Sequence, residues 1–287
     1  MNLRLVRKKI KSVKNVKKIT KAMQLMSAVK MKKAVAQEVE GRPYRNGLYE
    51  MMTAVSGRVD PSLSSLFQYQ ATEDKPDLVI FVSANKGLCG AFLVNILKYL
   101  VKNVDLKKTQ FVTVGTKGAQ MLSRFDRDLM ADFSSANPIV QTSAIFDFVL
   151  ESFQSKKYRN IRLLYTKYLS ITKSEVVLTT LLPVPKDEVS QDKVGIEKIT
   201  KDTIIEPSPK SLIEALLKSY VEEQIRGALI SSLAVEHSAR MLAMKNATDN
   251  AEDVIYSLTS VGNKIRQTKI TSELLDMITA KESVETG

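Results

Sequence analysis

Apolar residues recur in steps of three or four at both ends of the chain and in short unbroken runs between them. Near the N-terminus Leu3, Val6, Ile10, Val13, Val16, Ile19, Met23, Met26 and Val29 predict one stripe along a helix, with lysines over the remaining surface. The same spacing links Ile213, Leu217, Tyr220, Ile225, Ala228 and Leu229, then Val235, Ala239 and Leu242, and later Val254, Leu258, Val261 and Ile265. Glycine and proline agree with this reading. Residues 1–40 hold neither, every proline lies between Pro43 and Pro209, and residues 210–287 hold only Gly227, Gly262 and Gly287. Because these two residues are the main breakers of regular structure, long helices are expected to flank a compact middle. A helix from about Ser208 to about Ser283 runs ~114 Å at 1.5 Å per residue, and such a length is stable only if its stripe is covered. The cover within the chain is the N-terminal helix, which predicts a long antiparallel coiled coil of the N- and C-terminal helices. Several shorter helices in a bundle fit the same spacing.

The middle has another rhythm. Asp77–Ser83 reads as a buried strand, 91–104 as a helix, 110–114 as a strand and 117–124 as a short helix. A longer helix over 138–156 precedes strands at 160–166 and 175–182. Strands alternating with helices predict a mostly parallel sheet with crossover helices, a central α/β domain, and the last two strands adjoin closely enough to pair as an antiparallel edge. The proline-bearing stretch 183–209 reads as loop with one or two short elements. The expected organisation is an N-terminal coiled-coil helix over 1–58, a central α/β domain over 74–190 and a C-terminal coiled-coil helix over 208–287.

Charge changes the picture at one end only. The chain has 287 residues and a net charge of +12, and residues 1–33 carry twelve Lys or Arg and no acid. The remainder is balanced, so the basic character is an arm and not a uniformly basic coat. Such a helix face suits nucleic acid, an acidic membrane surface or an acidic protein partner, or it is simply solvated. No aromatic interleaves residues 1–33, which weakens a single-strand stacking role, whereas a merely solvated helix normally mixes signs to gain i,i+4 pairs. No apolar run approaches the roughly 18 residues of a membrane span, and the basic start lacks the apolar region and cleavage site of a secretory signal. The single cysteine, Cys89, allows no internal disulfide, so a reducing interior is expected.

The search for chemistry returns little. The chain has no GxxxxGK[ST] loop, no GxGxxG after a strand and no GxSxG elbow. One histidine, His237, and one cysteine make neither a His/Cys metal cluster nor a nucleophile–base pair of the usual kinds. His237 falls on the C-terminal helix as a surface or packing residue. Two glycine turns, 86–90 and 115–118, each lead from a strand towards a helix, where amides can hold an anion or merely close a tight connection. Cys89 in the first turn is either a reactive thiol or a packed small residue.

Four segments carry a family likeness: 10–31 (IKSVKNVKKITKAMQLMSAVKM), 86–92 (KGLCGAF), 236–250 (EHSARMLAMKNATDN) and 263–276 (NKIRQTKITSELLD). Their order and spacing resemble the gamma subunit of the F-type ATP synthase over essentially the whole chain. The resemblance implies a non-catalytic rotor without cofactor. Its two terminal helices stand as an asymmetric coiled coil within an alternating hexamer of α and β subunits, and a Rossmann-like middle domain at the base meets the epsilon subunit and the membrane c-ring. It further implies β-subunit catch-loop contacts at Arg266, Gln267, Thr271 and Glu273, a lever-loop contact at Met23, and a c-ring contact at Glu206. Met23 also fits the coiled-coil core. Two departures stand out: the family's Ser-Asp before the glycine turn is replaced by Ser83-Ala84-Asn85, and the family's Gly-Ala pair near the end by Ala280-Lys281. With no transit peptide and no chloroplast-type cysteine pair, the expectation is a bacterial protein, peripheral on the cytoplasmic face of the inner membrane and not inserted in it. The alternative is a nucleic-acid-binding α/β module with a basic coiled-coil arm.

Overall fold

The computed structural model describes residues 2–56, 66, 74–125, 129–184 and 208–285. The chain divides into two compact units, residues 1–27 with 240–287, and residues 28–239. Helix α1 spans Leu3–Ser56 and helix α5 Pro209–Glu285, and each contributes to both units. Between them lie β1 (Asp77–Val82), α2 (Phe92–Asn103), β2 (Thr109–Val114), α3 (Thr116–Arg124), β3 (Leu129–Asp132), α4 (Thr142–Gln154), β4 (Ile161–Tyr168) and β5 (Ser174–Leu182).

In the larger unit the five strands form one sheet in the order β3-β2-β1-β4-β5. The first three interfaces are parallel and the β4–β5 edge is antiparallel, as expected from the closeness of those two runs. Every residue of β1 is buried because helices cover both faces of the sheet, which is why DLVIFV reads as a run and not as an alternation. Leu78, Ile80 and Val82 face a cluster with Ile145, Val149 and Phe153 of α4, Leu48 and Met52 of α1, and Ile213 and Leu217 of α5. Val79 and Phe81 face Ile96 and Leu100 of α2 and Leu122 of α3. Asp77, at the start of β1, is buried and held by Arg159, Arg162 and Asn160 at 2.9–3.2 Å, which satisfies a carboxylate in a nearly dry place.

The structure adds or moves several elements. Strand β3 was not expected; its four residues are too few to display a period, and it joins the sheet edge through a register shift at Phe111/Val112. The helix expected over 138–156 begins as a 3-10 turn, Pro138–Gln141, before α4 starts at Thr142. Helix α1 continues through Pro43, whose exposed position leaves the unbonded carbonyl before it open to water.

In the smaller unit the segments of α1 and α5 run antiparallel. Val6 lies against Gly262, Lys17 pairs with Glu252 at 2.9 Å, and Thr20 meets Thr248 at 2.8 Å. A row of covered positions along α1, Val6, Ile10, Val13, Lys17, Thr20, Gln24 and Ser27, alternates steps of four and three as in a coiled coil, with Leu3 and Met23 half-buried beside it. This corrects the single apolar stripe. Its steps from Ile10 to Val13, Val16 and Ile19 are all threes, so the stripe slips off a 3.5-residue seam. From Val16 onward it lies one residue, about 100° round the helix, from the covered positions. Val16, Ile19, Met26 and Val29 are exposed, Ile19 by 60% and Val29 by 68%. On α5 the seam passes through Met244, Thr248, Ala251, Ile255, Leu258, Gly262 and Ile265, leaving Val254 and Val261 exposed.

Candidate interaction surfaces

An open parallel sheet binds ligands outside the carboxyl ends of its strands, where the order reverses. Here that point lies between β1 and β4, and it is filled with side chains. Ala84 and Cys89, just past β1, pack with Phe92 and with Val235 of α5, and Tyr168 and Ala239 close the cluster. Cys89 is 2% exposed, which identifies it as a packed small residue. His237 is buried on the same stretch of α5. Beyond the end of β1, two amides of β4 are received by α5: Thr166 donates to Ser232 Oγ at 3.0 Å and Tyr168 to Ser231 Oγ at 2.8 Å.

The turn after β2 is closed just as tightly. The amides of Gly115, Thr116, Lys117 and Gly118 would be the anion holders, and each donates to a group of the chain: Ser134 Oγ (3.1 Å), Asn85 Oδ1 (3.2 Å), the Ala84 carbonyl (3.0 Å) and Ser83 Oγ (2.8 Å). Both glycines serve close packing. Gly115 has φ +114°, and a Cβ on Gly118 would stand 2.5 Å from Ser83 Oγ and 2.9 Å from the Phe81 ring. Asn85 joins three loops: Oδ1 accepts from Thr116, and Nδ2 donates to the Ser135 carbonyl at 2.6 Å. An aspartate cannot donate that bond and would set a charge against a carbonyl. Asn85→Asp is therefore expected to cost about 1–3 kcal/mol, read as a lowered denaturant midpoint with an unchanged slope. Among the described residues no group of His, Cys, Asp and Glu has the makings of a metal site, and no helix is long and apolar enough to cross a membrane.

In the larger unit α1 and α5 are joined by a polar network that the sequence reading missed. Arg45 Nη2 reaches Glu38 Oε1 at 2.6 Å, and Nη1 stands 3.7 Å from Glu223 Oε1. Glu223 in turn holds Arg226 Nε at 3.2 Å. The Arg45 guanidinium has room because Gly41 and Gly227, one on each helix, present no side chain to it. A glycine inside each long helix, Gly41 in α1 and Gly227 in α5, was the available signal. Burial pushes the Glu223 carboxyl up, against the opposing pull of Arg226 and Arg45. A raised carboxylate favours the folded state at low pH and loses that contribution as pH rises through its folded value. Glu223→Gln should thus gain stability relative to the parent chain as pH rises from the ordinary carboxylate range towards neutrality. Urea unfolding of both proteins at pH 5 and pH 7.5 checks the sign.

The smaller unit carries most of the residues singled out by the resemblance. Arg266, Gln267, Thr271 and Glu273 are all exposed on α5. Thr271 Oγ1 donates to the Gln267 carbonyl at 3.0 Å, and Glu273 pairs with Lys269 at 3.3 Å. Met23 is half-buried beside the seam of α1, near the Thr20–Thr248 level. Arg266 lies eighteen residues past Thr248, about 27 Å along the helix, so Met23 belongs to a separate place. Glu206 lies outside the described residues. Beyond Ile265 every described residue of α5 through Lys281 is exposed, because α1 begins opposite that level. Ile270, Leu274, Leu275, Met277 and Ile278 are bare there, Met277 by 69%. This apolar run and the α1 ridge of Val16, Ile19 and Met26 are surfaces without cover among the described residues of the chain.

A family model described as ATP synthase matches residues 2–284. The ATP synthase gamma chain of Akkermansia muciniphila is 35% identical over 99% of each chain. Those of Synechocystis sp. and Geobacter metallireducens are 34% and 33% identical with the same coverage. Among solved structures, a chain of the Euglena gracilis mitochondrial ATP synthase (OSCP/F1/c-ring, rotational state 3) matches with a TM-score of 0.67. It is 19% identical, over 99% of this chain and 95% of that one. A chain of the Tetrahymena thermophila mitochondrial ATP synthase central stalk/c-ring matches at 0.57 and 24%, over 80% and 99%. An α/β unit whose ligand crevice is packed shut, two long antiparallel helices, and relatives aligned from end to end agree: the chain belongs to the ATP synthase gamma chain family.

Proposed function

We propose that this chain is the central-stalk rotor of an ATP synthase and carries torque without performing chemistry itself. The observation that carries this reading is the bare apolar end of α5 beyond Ile265. Burying a side chain such as leucine or isoleucine is worth about 1.5–3 kcal/mol, so five of them in water on one helix end are accounted for by an enclosing partner. The enclosing partner is the alternating hexamer of α and β subunits, with Arg266, Gln267, Thr271 and Glu273 at the β catch loops and Met23 at a lever loop. The α/β unit serves the base, towards the epsilon subunit and the c-ring, with Glu206 at the ring. An asymmetric shaft touches three equivalent sites differently and so biases their conformational equilibria differently, and turning it permutes the bias. The setting is the cytoplasmic face of a bacterial inner membrane, reached through the complex. Nothing in the fold favours the nucleic-acid alternative. The purified chain alone is expected to show no ATP hydrolysis and to restore cooperative ATPase activity when mixed with α and β subunits; robust hydrolysis by the chain alone would overturn the reading.

A further inference from the structure

Helix α5 is fastened to the end of the sheet by two hydrogen bonds. The register of β1 and β4 ends at Phe81 and Leu164, so past that level the edge of β4 has lost the strand beside it. There the amides of Thr166 and Tyr168 donate to Ser232 Oγ at 3.0 Å and Ser231 Oγ at 2.8 Å, and two side chains of α5 continue the ladder where β1 has stopped. Both serines are buried. Ser238, further along the same helix, shows the ordinary alternative: its hydroxyl returns to the Val235 carbonyl at 3.0 Å. Consecutive helix residues project about 100° apart, so a helix held at both hydroxyls is fixed in rotation about its own axis as well as along it. Apolar packing, which holds α5 to the sheet through Ile213, Leu217 and Ile225, is non-directional and sets that angle less sharply. The two bonds stand close to where α5 leaves the larger unit. Ser232 precedes Ala239, the last residue of that unit, by about 10 Å of helix, and Val235 and Ala239 continue the joint against Ala84, Cys89 and Phe92.

We propose that Ser231 and Ser232 are positioning residues for torque: they lock α5 to the α/β unit, so that a turning force entering that unit passes into α5 without angular slip. The assignment rests on the rotor reading and gives it a point of transfer inside the chain. Turning α5 against the sheet by even part of a residue step would pull both hydroxyls off the β4 amides, which are buried there and have no strand to return to.

The test uses the full chain assembled with α and β subunits that are fixed to a surface, with a rod on an engineered cysteine in the α/β unit. With ATP withdrawn, the angular variance of the rod reads the torsional stiffness between the held helices and the α/β unit. Ser231→Ala/Ser232→Ala should at least double that variance, and the single variants Ser231→Ala and Ser232→Ala, which each keep one bond, should raise it by less. Leu122→Ala is the control for lost stability. It removes a buried side chain from the face of the sheet opposite α5, so it should lower the melting temperature of the free chain and leave the variance unchanged. Unchanged variance in the double and both single variants, or an equal rise in Leu122→Ala, would overturn the joint while the parent still turns under ATP. A parent rod that stays motionless while its complex hydrolyses ATP would overturn the rotor reading itself.

Discussion

Gly115→Ala is expected to destabilise the α/β unit by about 4 kcal/mol, enough to remove most of the stability of an ordinary domain. Two costs add. The φ of +114° belongs to a region that residues with a side chain avoid, at about 1–3 kcal/mol. The new Cβ would also press into the backbone carbonyl of Ser83, which cannot retreat. Ser83 is fixed by its amide bond to the Val114 carbonyl at 2.7 Å and by its hydroxyl, which donates to the Gly115 carbonyl at 2.9 Å. Overpacking of this kind typically adds about 1–3 kcal/mol. Gly87 is the internal control: nothing lies within 4 Å of its would-be Cβ, so Gly87→Ala should change stability by no more than about 0.5 kcal/mol. Thermal unfolding of the three chains, followed by near-UV circular dichroism, reads the difference. A Gly115→Ala chain as stable as the Gly87→Ala chain would show that the turn after β2 is not the close-packed joint described above.

The second large effect concerns the surface. Arg266→Ala/Gln267→Ala should lower the turnover of the assembled complex at least tenfold while leaving the melting temperature of the free chain within about 2 °C. Both side chains stand exposed on α5, and exposed helix positions seldom carry stability. A charge-assisted hydrogen bond made to a partner is worth about 1.5–3 kcal/mol, which is a factor of roughly ten to a hundred in an equilibrium or rate. Steady-state ATPase assays of the reconstituted complex, beside calorimetry of the free chain, separate the two readouts. Unchanged turnover in the double variant would remove these residues from the contact.

Much of the fold was legible because its signals are local. The buried runs at 77–83 and 110–114, the alternation of strands and helices, and the absence of glycine and proline near both ends each follow from one physical preference. What stayed hidden depends on a partner element. The covered positions of α1 include Lys17, Thr20, Gln24, Ser27, Glu38 and Arg45, polar residues that no apolar period marks. Three of them are tolerated in the seam because they have somewhere to go: Lys17 reaches out to Glu252, the Thr20 hydroxyl meets that of Thr248, and Arg45 lies between two glycines with Glu38 beside it, whereas the buried Gln24 Oε1 has no hydrogen-bond partner. The apolar residues that should have marked the seam instead stand at Val16, Ile19, Met26 and Val29, one position away. That displacement is itself informative. A polar seam fixes register at some cost in adhesion, while the apolar residues are left on the outside. The joint at Ser231 and Ser232 was invisible for a simpler reason, since it brings together residues 63 and 66 positions apart.

The most direct measurement is rotation. The α/β assembly is fixed to a surface, a rod is attached to this chain at an engineered cysteine in the α/β unit with Cys89 left buried, and ATP is supplied. Persistent turning of the rod in one direction, stopping when ATP is withdrawn, is the result expected of a torque-carrying shaft. Steady ATP hydrolysis by the same fixed complexes with the rod motionless would contradict it.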